Sequence, residues 1–289
     1  MKRPPIFRSR GFTLVELIMV MVLTGIIAAL VSGLLKPVIG SYVDMARRAA
    51  MTDMADIALK RIGRDIRAAV PNSIRWPNNQ CIELLPSSTG GRYRMAPDTV
   101  NGGSATLDIT QAVIQFDVLS EMSAVPAAGD WVVIGNQNTG DVYAGINRAA
   151  ISSVTTPATT VGLSRITLNT ASFFPGGYNG GRFVVVSNNG GNPAVSYICS
   201  GADGSVDASG NGKGTLYRLT RPFSASYPTS CPATAGAAIL ATNLKSCNFV
   251  YNPNQDTTQQ SALVWIQLEL TQANETIALA YGAHVDNVP

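Results

Sequence analysis

Ionisable side chains are scarce in this chain. Asp, Glu, Lys and Arg make up 13% of its 289 residues, about half the usual share of a soluble globular protein. That scarcity excludes a coiled coil, an acidic disordered chain and an ordinary helical cytosolic enzyme. A single histidine and four cysteines, none in a CxxC pair, exclude zinc-finger spacing. Aromatics are also few, at 7%. Glycine (27) and proline (16) are plentiful, with many Ser, Thr and Asn, so the body of the chain reads as turn-rich.

The formal charge of +3 misleads until it is divided by position. Residues 1–11 hold Lys2, Arg3, Arg8 and Arg10 and no acid. Residues 12–35 hold one charge, Glu16; residues 71–289 hold ten bases against thirteen acids. The basic balance comes from the first segment and is no argument for nucleic acid.

From Phe12 to Leu35 the run FTLVELIMVMVLTGIIAALVSGLL carries a single ionisable side chain. As a helix it would span about 36 Å, enough for a hydrocarbon core of roughly 30 Å. The bases before it predict a cytoplasmic N-terminus with the remainder outside. A conventional signal peptide has its small-residue cleavage site after the apolar run. Here the small residue, Gly11, comes before it.

Beyond Leu35 the helical pattern continues across Pro37, which is expected to kink it. Ala55, Leu59, Ile62, Ile66 and Val70 fall at three- and four-residue spacing. This predicts an amphipathic helix over 36–70, closed by Pro71 and Asn72. After Pro71 the texture changes to β: CIELLP (81–86), AVIQFDVL (112–119), WVVIG (131–135), RITLN (165–169), RFVVVS (182–187), VSYICS (195–200) and TLYRLT (215–220). LVWIQLELT (263–271) and TIALAYGAHV (276–285), joined by Gln272-Ala273-Asn274-Glu275, predict a C-terminal antiparallel hairpin. The fold class expected is α+β: a long N-terminal helix, then an antiparallel β-rich domain over 71–289.

Arg10-Gly11 followed by Phe12-Thr13-Leu14-Val15-Glu16 resembles the prepilin signature of type IV pilins and pseudopilins. The match covers leader length, Gly11 at the cut, Phe12 as first mature residue, Glu16 and the apolar run. The resemblance implies a leader (1–11) removed by a membrane prepilin peptidase, which also methylates the new amine of Phe12. It implies an assembly and register role for Glu16, with Thr13. A carboxylate in the apolar region is tolerated where it meets a positive partner, and the N-terminus of a neighbouring subunit is the natural one.

Residues 58–75, ALKRIGRDIRAAVPNSIR, are similar to the corresponding segment of J-type minor pseudopilins and of the O-type minor pilin of the mannose-sensitive haemagglutinin pilus. ATNL (241–244), CNFVY (247–251) and HVDNVP (284–289) favour the latter; residues 90–180 carry no resemblance. A minor pilin is thereby implied: non-enzymatic, without cofactor, held in the bacterial inner membrane with its C-terminal domain periplasmic, and later at the cell surface. Its implied partners are the prepilin peptidase, other minor and major pilins and the assembly platform. The alternatives are a J-type pseudopilin of a type II secretion system and a membrane-anchored or pilus-tip adhesin.

Other sites weigh less. His284 lies beside Asp286, but no GxSxG accompanies them. Gly210-Asn211-Gly212-Lys213-Gly214 lacks the Ser or Thr of a phosphate loop and reads as a hairpin turn. Asp203, Ser205, Asp207 and Ser209 alternate as in a calcium loop, yet Ala208 replaces the glycine and no glutamate closes it. Arg47, Arg48, Lys60, Arg61, Arg64 and Arg67 alternate with acids and lack stacking aromatics, so they read as a solvated or subunit-facing surface, with no nucleic-acid partner. For the cysteines, Cys199–Cys231 bracketing the 215–220 strand and Cys81–Cys247 are the expected disulfides.

Overall fold

A computed structural model describes residues 11–158, 160–176, 180–253 and 261–287, with the backbone alone at 34–38. The expected leader bases Lys2, Arg3, Arg8 and Arg10, and the tail residues Val288 and Pro289, lie outside the described residues. The chain forms two compact units, residues 1–50 and 51–289.

The described part of the first unit is helical from Leu14. It belongs to α1 (Leu14–Arg67), whose backbone remains helical through Pro37. Every described side chain from Leu14 to Gly33 is solvent-exposed within the chain, and this stretch is long and apolar enough to cross a membrane. A helix that is apolar all round needs lipid or other helices about it.

In the second unit the last turns of α1 are amphipathic. Met51, Ala55, Ala58, Leu59, Ile62 and Ile66 are buried against a seven-stranded antiparallel sheet. Each large aliphatic side chain buried this way is worth about 1.5–3 kcal/mol. The helix ends at Arg67, short of Val70. The physical reason is a competing partner: Val70 N–H donates to Leu85 O at 2.8 Å and Ser87 N–H to Ala68 O at 2.7 Å. Backbone groups that would have closed another turn are taken by strand-like pairing.

The seven-stranded sheet comprises β1 (Arg75–Asn78), β2 (Cys81–Leu84), β9 (Ala194–Ser200), β10 (Gly214–Arg221), β11 (Ala238–Asn252), β12 (Ser261–Gln272) and β13 (Glu275–Asp286), in that spatial order. β12 and β13 form the expected C-terminal hairpin, in register from Ser261↔Asp286 to Gln272↔Glu275. Ala273 and Asn274 turn it with φ of 49° and 65°, the doubly positive conformation that matches strand twist in a two-residue turn.

The second sheet is inserted between β2 and β9. It contains β3 (Ser87–Arg92), β4 (Val113–Val118), β5 (Trp131–Val133), β6 (Arg148–Thr155), β7 (Ser164–Ser172) and β8 (Arg182–Val186), ordered β3-β8-β5-β6-β7-β4. The ends of this order meet. Leu119 N–H donates to Arg92 O and Arg94 N–H to Asp117 O, each at 2.8 Å, around a Tyr93↔Val118 bridge. The six strands therefore close into a small barrel filled by Phe116, Phe183, Ile151, Ile166, Val132 and Val185, all buried. Closure leaves this sheet no free edge whose unpaired backbone groups could template aggregation. A smaller cluster, Val70, Leu85, Val133, Tyr143 and Val186, packs between barrel and seven-stranded sheet.

The four cysteines are all bridged, in a pairing other than the expected one: Cys81–Cys231 and Cys199–Cys247. Strand parity is the reason. Cys81 stands opposite Ile198 in the β2–β9 ladder, so it shares that face and Cys199 points the other way. Cys199 joins Cys247 on the face that meets α1. Cys81 joins Cys231 on the reverse face, beneath the segment that links β10 to β11. Bracketing a strand in sequence ignored which side of the sheet each thiol occupies.

Candidate functional site

Gly11 and Phe12 lie ahead of the helix in irregular backbone; both are exposed, Phe12 at 82%. A peptidase binds its substrate extended, and here the Gly11–Phe12 bond already lies outside the helical ladder. Thr13 is the first residue with a structural duty. Its hydroxyl accepts from Glu16 N–H at 3.3 Å, while the Glu16 carboxylate accepts from Thr13 N–H at 3.3 Å and from the Thr13 hydroxyl at 3.2 Å. This reciprocal pair is a capping box on the first turn of α1. It meets two of the four N–H groups that a helix start leaves unpaired, and places negative charge at the positive end of the helix dipole.

Glu16 was expected to answer a neighbouring subunit. Within one chain its carboxylate turns back onto its own N-terminus. The signal for this was already in the sequence, since Thr13-x-x-Glu16 before an apolar run is the capping-box pattern.

Further along α1, the charged residues are used locally. Arg47 meets Asp44 at 2.9 Å, Lys60 meets Asp56 at 2.6 Å and Arg61 lies 3.8 Å from Asp65. Asp65 also docks the helix on the sheet: the Tyr197 hydroxyl donates to its Oδ2 at 2.6 Å and Arg218 Nε does so at 3.0 Å. Burial, and the carboxylate it donates to, push the Tyr197 hydroxyl above its ordinary range. Arg67 hydrogen-bonds the Tyr281 hydroxyl on β13, and Gly63 leaves room for the Tyr281 ring.

A buried polar cluster that no local pattern announced sits on the reverse face of the seven-stranded sheet. Arg75 (1% exposed) and Glu83 (3%) are cross-strand partners 3.6 Å apart, and Arg221 Nε reaches Glu83 at 3.0 Å. The Arg75 guanidinium lies 3.4 Å over the Tyr143 ring and donates to the carbonyls of Ser224, Ala225 and Ser226. It thereby fixes the segment that carries Cys231. The partners lie about 150 residues apart in sequence, beyond the reach of any spacing rule.

The remaining sequence candidates are structural. Asp203 accepts from Ser205 N–H and Oγ, and Asp207 from Ser209 N–H and Asn211 N–H. These bonds hold both carboxyls below their ordinary range. They engage Asp203 Oδ1 and both Asp207 oxygens inside their own turns, and no group of three or more His, Cys, Asp or Glu placed to hold a metal occurs among the described residues. His284 is exposed near the end of β13. Residues 210–213 lie in the connection from β9 to β10, as the turn reading expected, and Gly214 opens β10.

The family model for the prokaryotic N-terminal methylation motif matches residues 6–32. The N-terminus carries a type IV pilin-like signal. The matched segment contains Gly11, Phe12, the capping box and the apolar turns to Val31. A pilin-like architecture agrees with the fold, an N-terminal apolar helix leading into an antiparallel β-rich body. Comparison with curated proteins and with solved structures finds no match for the chain.

Proposed function

We propose that the chain is a minor type IV pilin, cut after Gly11 and N-methylated on Phe12. The observation that carries this reading is the placement of the scissile bond. It stands exposed in irregular backbone two residues before a capped helix whose first turns are apolar apart from Glu16. Cutting there leaves Thr13, Glu16 and every helical hydrogen bond intact, so the mature helix begins where the precursor helix did.

The precursor is held in the inner membrane by residues 12–35, with its N-terminus cytoplasmic and residues 71–289 periplasmic. On assembly Glu16 exchanges part of its capping role for the methylated amine of a neighbouring Phe12, which sets the axial register between subunits. The partners are the prepilin peptidase, other minor and major pilins and the assembly platform; the chain itself is a non-enzymatic subunit. The segments 58–75, 241–251 and 284–289 favour the O-type minor pilin of the mannose-sensitive haemagglutinin pilus, and hence a role in starting or capping the filament.

The test is the intact mass of the protein purified from its native membrane. A chain starting at Phe12 with one added methyl group supports the reading. An uncut chain in cells with active prepilin peptidase overturns it. Deletion of the gene should lower the number of surface pili, and an unchanged number would remove the assembly role.

A further inference from the structure

The seven-stranded sheet is open, and its two edges are treated differently. β1 is guarded: it is four residues long, it contains Pro77, and its Trp76 N–H donates to the Tyr227 hydroxyl at 2.8 Å. β13 lacks such guards. It runs for twelve residues with no proline, lysine or arginine, and its two acids, Glu275 and Asp286, stand at its ends. Natural edge strands are ordinarily blunted against pairing with another chain.

The hairpin decides which backbone groups face outward. In a two-residue turn of this kind Gln272 and Glu275 form the closing hydrogen-bonded pair, and the ladder continues in register to Asp286. Antiparallel pairs alternate between bonded and unbonded. Ile277, Leu279, Tyr281, Ala283 and Val285 therefore bond to β12. Thr276, Ala278, Ala280, Gly282 and His284 turn their N–H and C=O groups away from it. Among the described residues no backbone bond from another segment reaches those groups.

The side chains show what kind of strand fits. Toward α1, Ile277, Leu279 and Tyr281 are only half-buried against the core. On the other face Ala278, Ala280 and Gly282 are small and exposed. There the Trp265 indole, 43% exposed, leans over Gly282, where a Cβ would stand 3.4 Å from its Cε3. An added strand with large apolar side chains toward α1 would extend the core layer, and its other face would cover the indole. A second copy of β13 is opposed by direction. Antiparallel pairing of two such edges is two-fold, so residues 51–67 of the two helices would run in opposite directions on one sheet face. Two chains anchored in one bilayer through Leu14–Gly33 arrive from the same side.

We propose that β13 is a docking edge, to which an extended, uncharged segment of a different polypeptide adds as an eighth strand. The unpaired row of N–H and C=O groups supplies affinity, and the alternating apolar face supplies selectivity. The open edge makes no use of the N-terminal motif; only the choice of a different chain rests on membrane anchoring.

The experiment is photo-crosslinking of the full-length chain in its native membrane, with p-benzoylphenylalanine placed in turn at Thr276, Ala278 and Ala280. Adducts should map to one segment of one other protein, and each step of two along β13 should move the adduct by two along that segment, as strand pairing requires. Ala280→Pro removes an outward N–H and Ala280→Lys sets a charge on the edge; each should lower the yield from position 276 about tenfold. The melting temperature should stay level in Ala280→Lys, which separates a lost partner from a lost fold. Adducts without that register, or no adducts at all three positions, would overturn the proposal. So would an unchanged yield in both variants, and adducts to a second copy would overturn the choice of a different chain.

Discussion

Asn72 and Asn287, 215 residues apart, hold each other twice: Asn72 N–H donates to Asn287 Oδ1 at 3.2 Å and Asn72 Nδ2 to Asn287 O at 3.1 Å. The same Nδ2 donates to Asn136 O at 2.9 Å. The residue after α1 and Pro71, the barrel and the end of β13 are thus joined through one amide. Asn72 also sits at φ 58°, where asparagine is among the few side chains tolerated. Asn287→Ala should cost about 1–2 kcal/mol through lost hydrogen bonds to a buried group. Asn72→Ala should cost more, since it adds backbone strain. Denaturant unfolding of the two variants checks the order.

The capping box predicts a separation of processing from helix stability. Thr13→Ala should leave cleavage after Gly11 intact while costing about 1 kcal/mol at the helix start. Intact mass reports the first. Faster amide exchange over residues 14–17 in detergent reports the second.

Gly63 tests how closely α1 lies on β13. Alanine is the better helix former by about 1 kcal/mol. Yet a Cβ at position 63 would come within 2.9 Å of the Tyr281 Cζ. Gly63→Ala should therefore destabilise, with overpacking outweighing propensity by about 1–2 kcal/mol, and Gly63→Ala in a Tyr281→Leu background should recover part of the loss.

Glu269 gives the acid limb a definite sign. The Ser246 hydroxyl at 2.8 Å, and then Lys245 at 3.1 Å, hold its carboxyl below the ordinary 4.5. A depressed folded value means the unfolded chain takes up the proton first. The stabilisation is present above pH 4.5 and is lost as pH falls through the folded value. Ser246→Ala should flatten the fall in stability below pH 4.5, by no more than about 1 kcal/mol at this partly solvated site.

Non-reducing peptide mapping should recover the Cys81–Cys231 and Cys199–Cys247 links. Removing either pair should cost about 2–5 kcal/mol. Loss of Cys231 should also loosen residues 228–231, which proteolysis would register, because the other anchors of this segment, at Phe223, Ser224, Ala225, Ser226 and Tyr227, all precede them.

The legible parts of this molecule are those in which neighbours in sequence are neighbours in space. Ile62 and Ile66 announce the buried stripe of α1 by spacing alone, and the β12–β13 hairpin is visible because its turn is short. Gly11, Phe12 and Glu16 are legible as a motif, and the Thr13 cap could have been read from the same five letters. β3 was not legible: SSTGGR has almost no strand propensity, and barrel closure holds it extended. β11 was hidden by Asn243 at φ 58° and by the register shift between Leu244 and Ser246. Arg75, Glu83 and the disulfide pairing depend on β2 lying beside β9, an adjacency that a long intervening barrel conceals.

That adjacency has an architectural meaning. Leu84, where β2 ends, stands directly opposite Val195 on β9, so the chain departs for the barrel and comes back at touching positions. The whole excursion is a cassette plugged into a single rung of the ladder beneath the helix. Its size and its outer loops can be exchanged without shifting the sheet face that receives α1, so long as Asn136, Val133 and Val186 keep their contacts with Asn72, Val70 and Leu85.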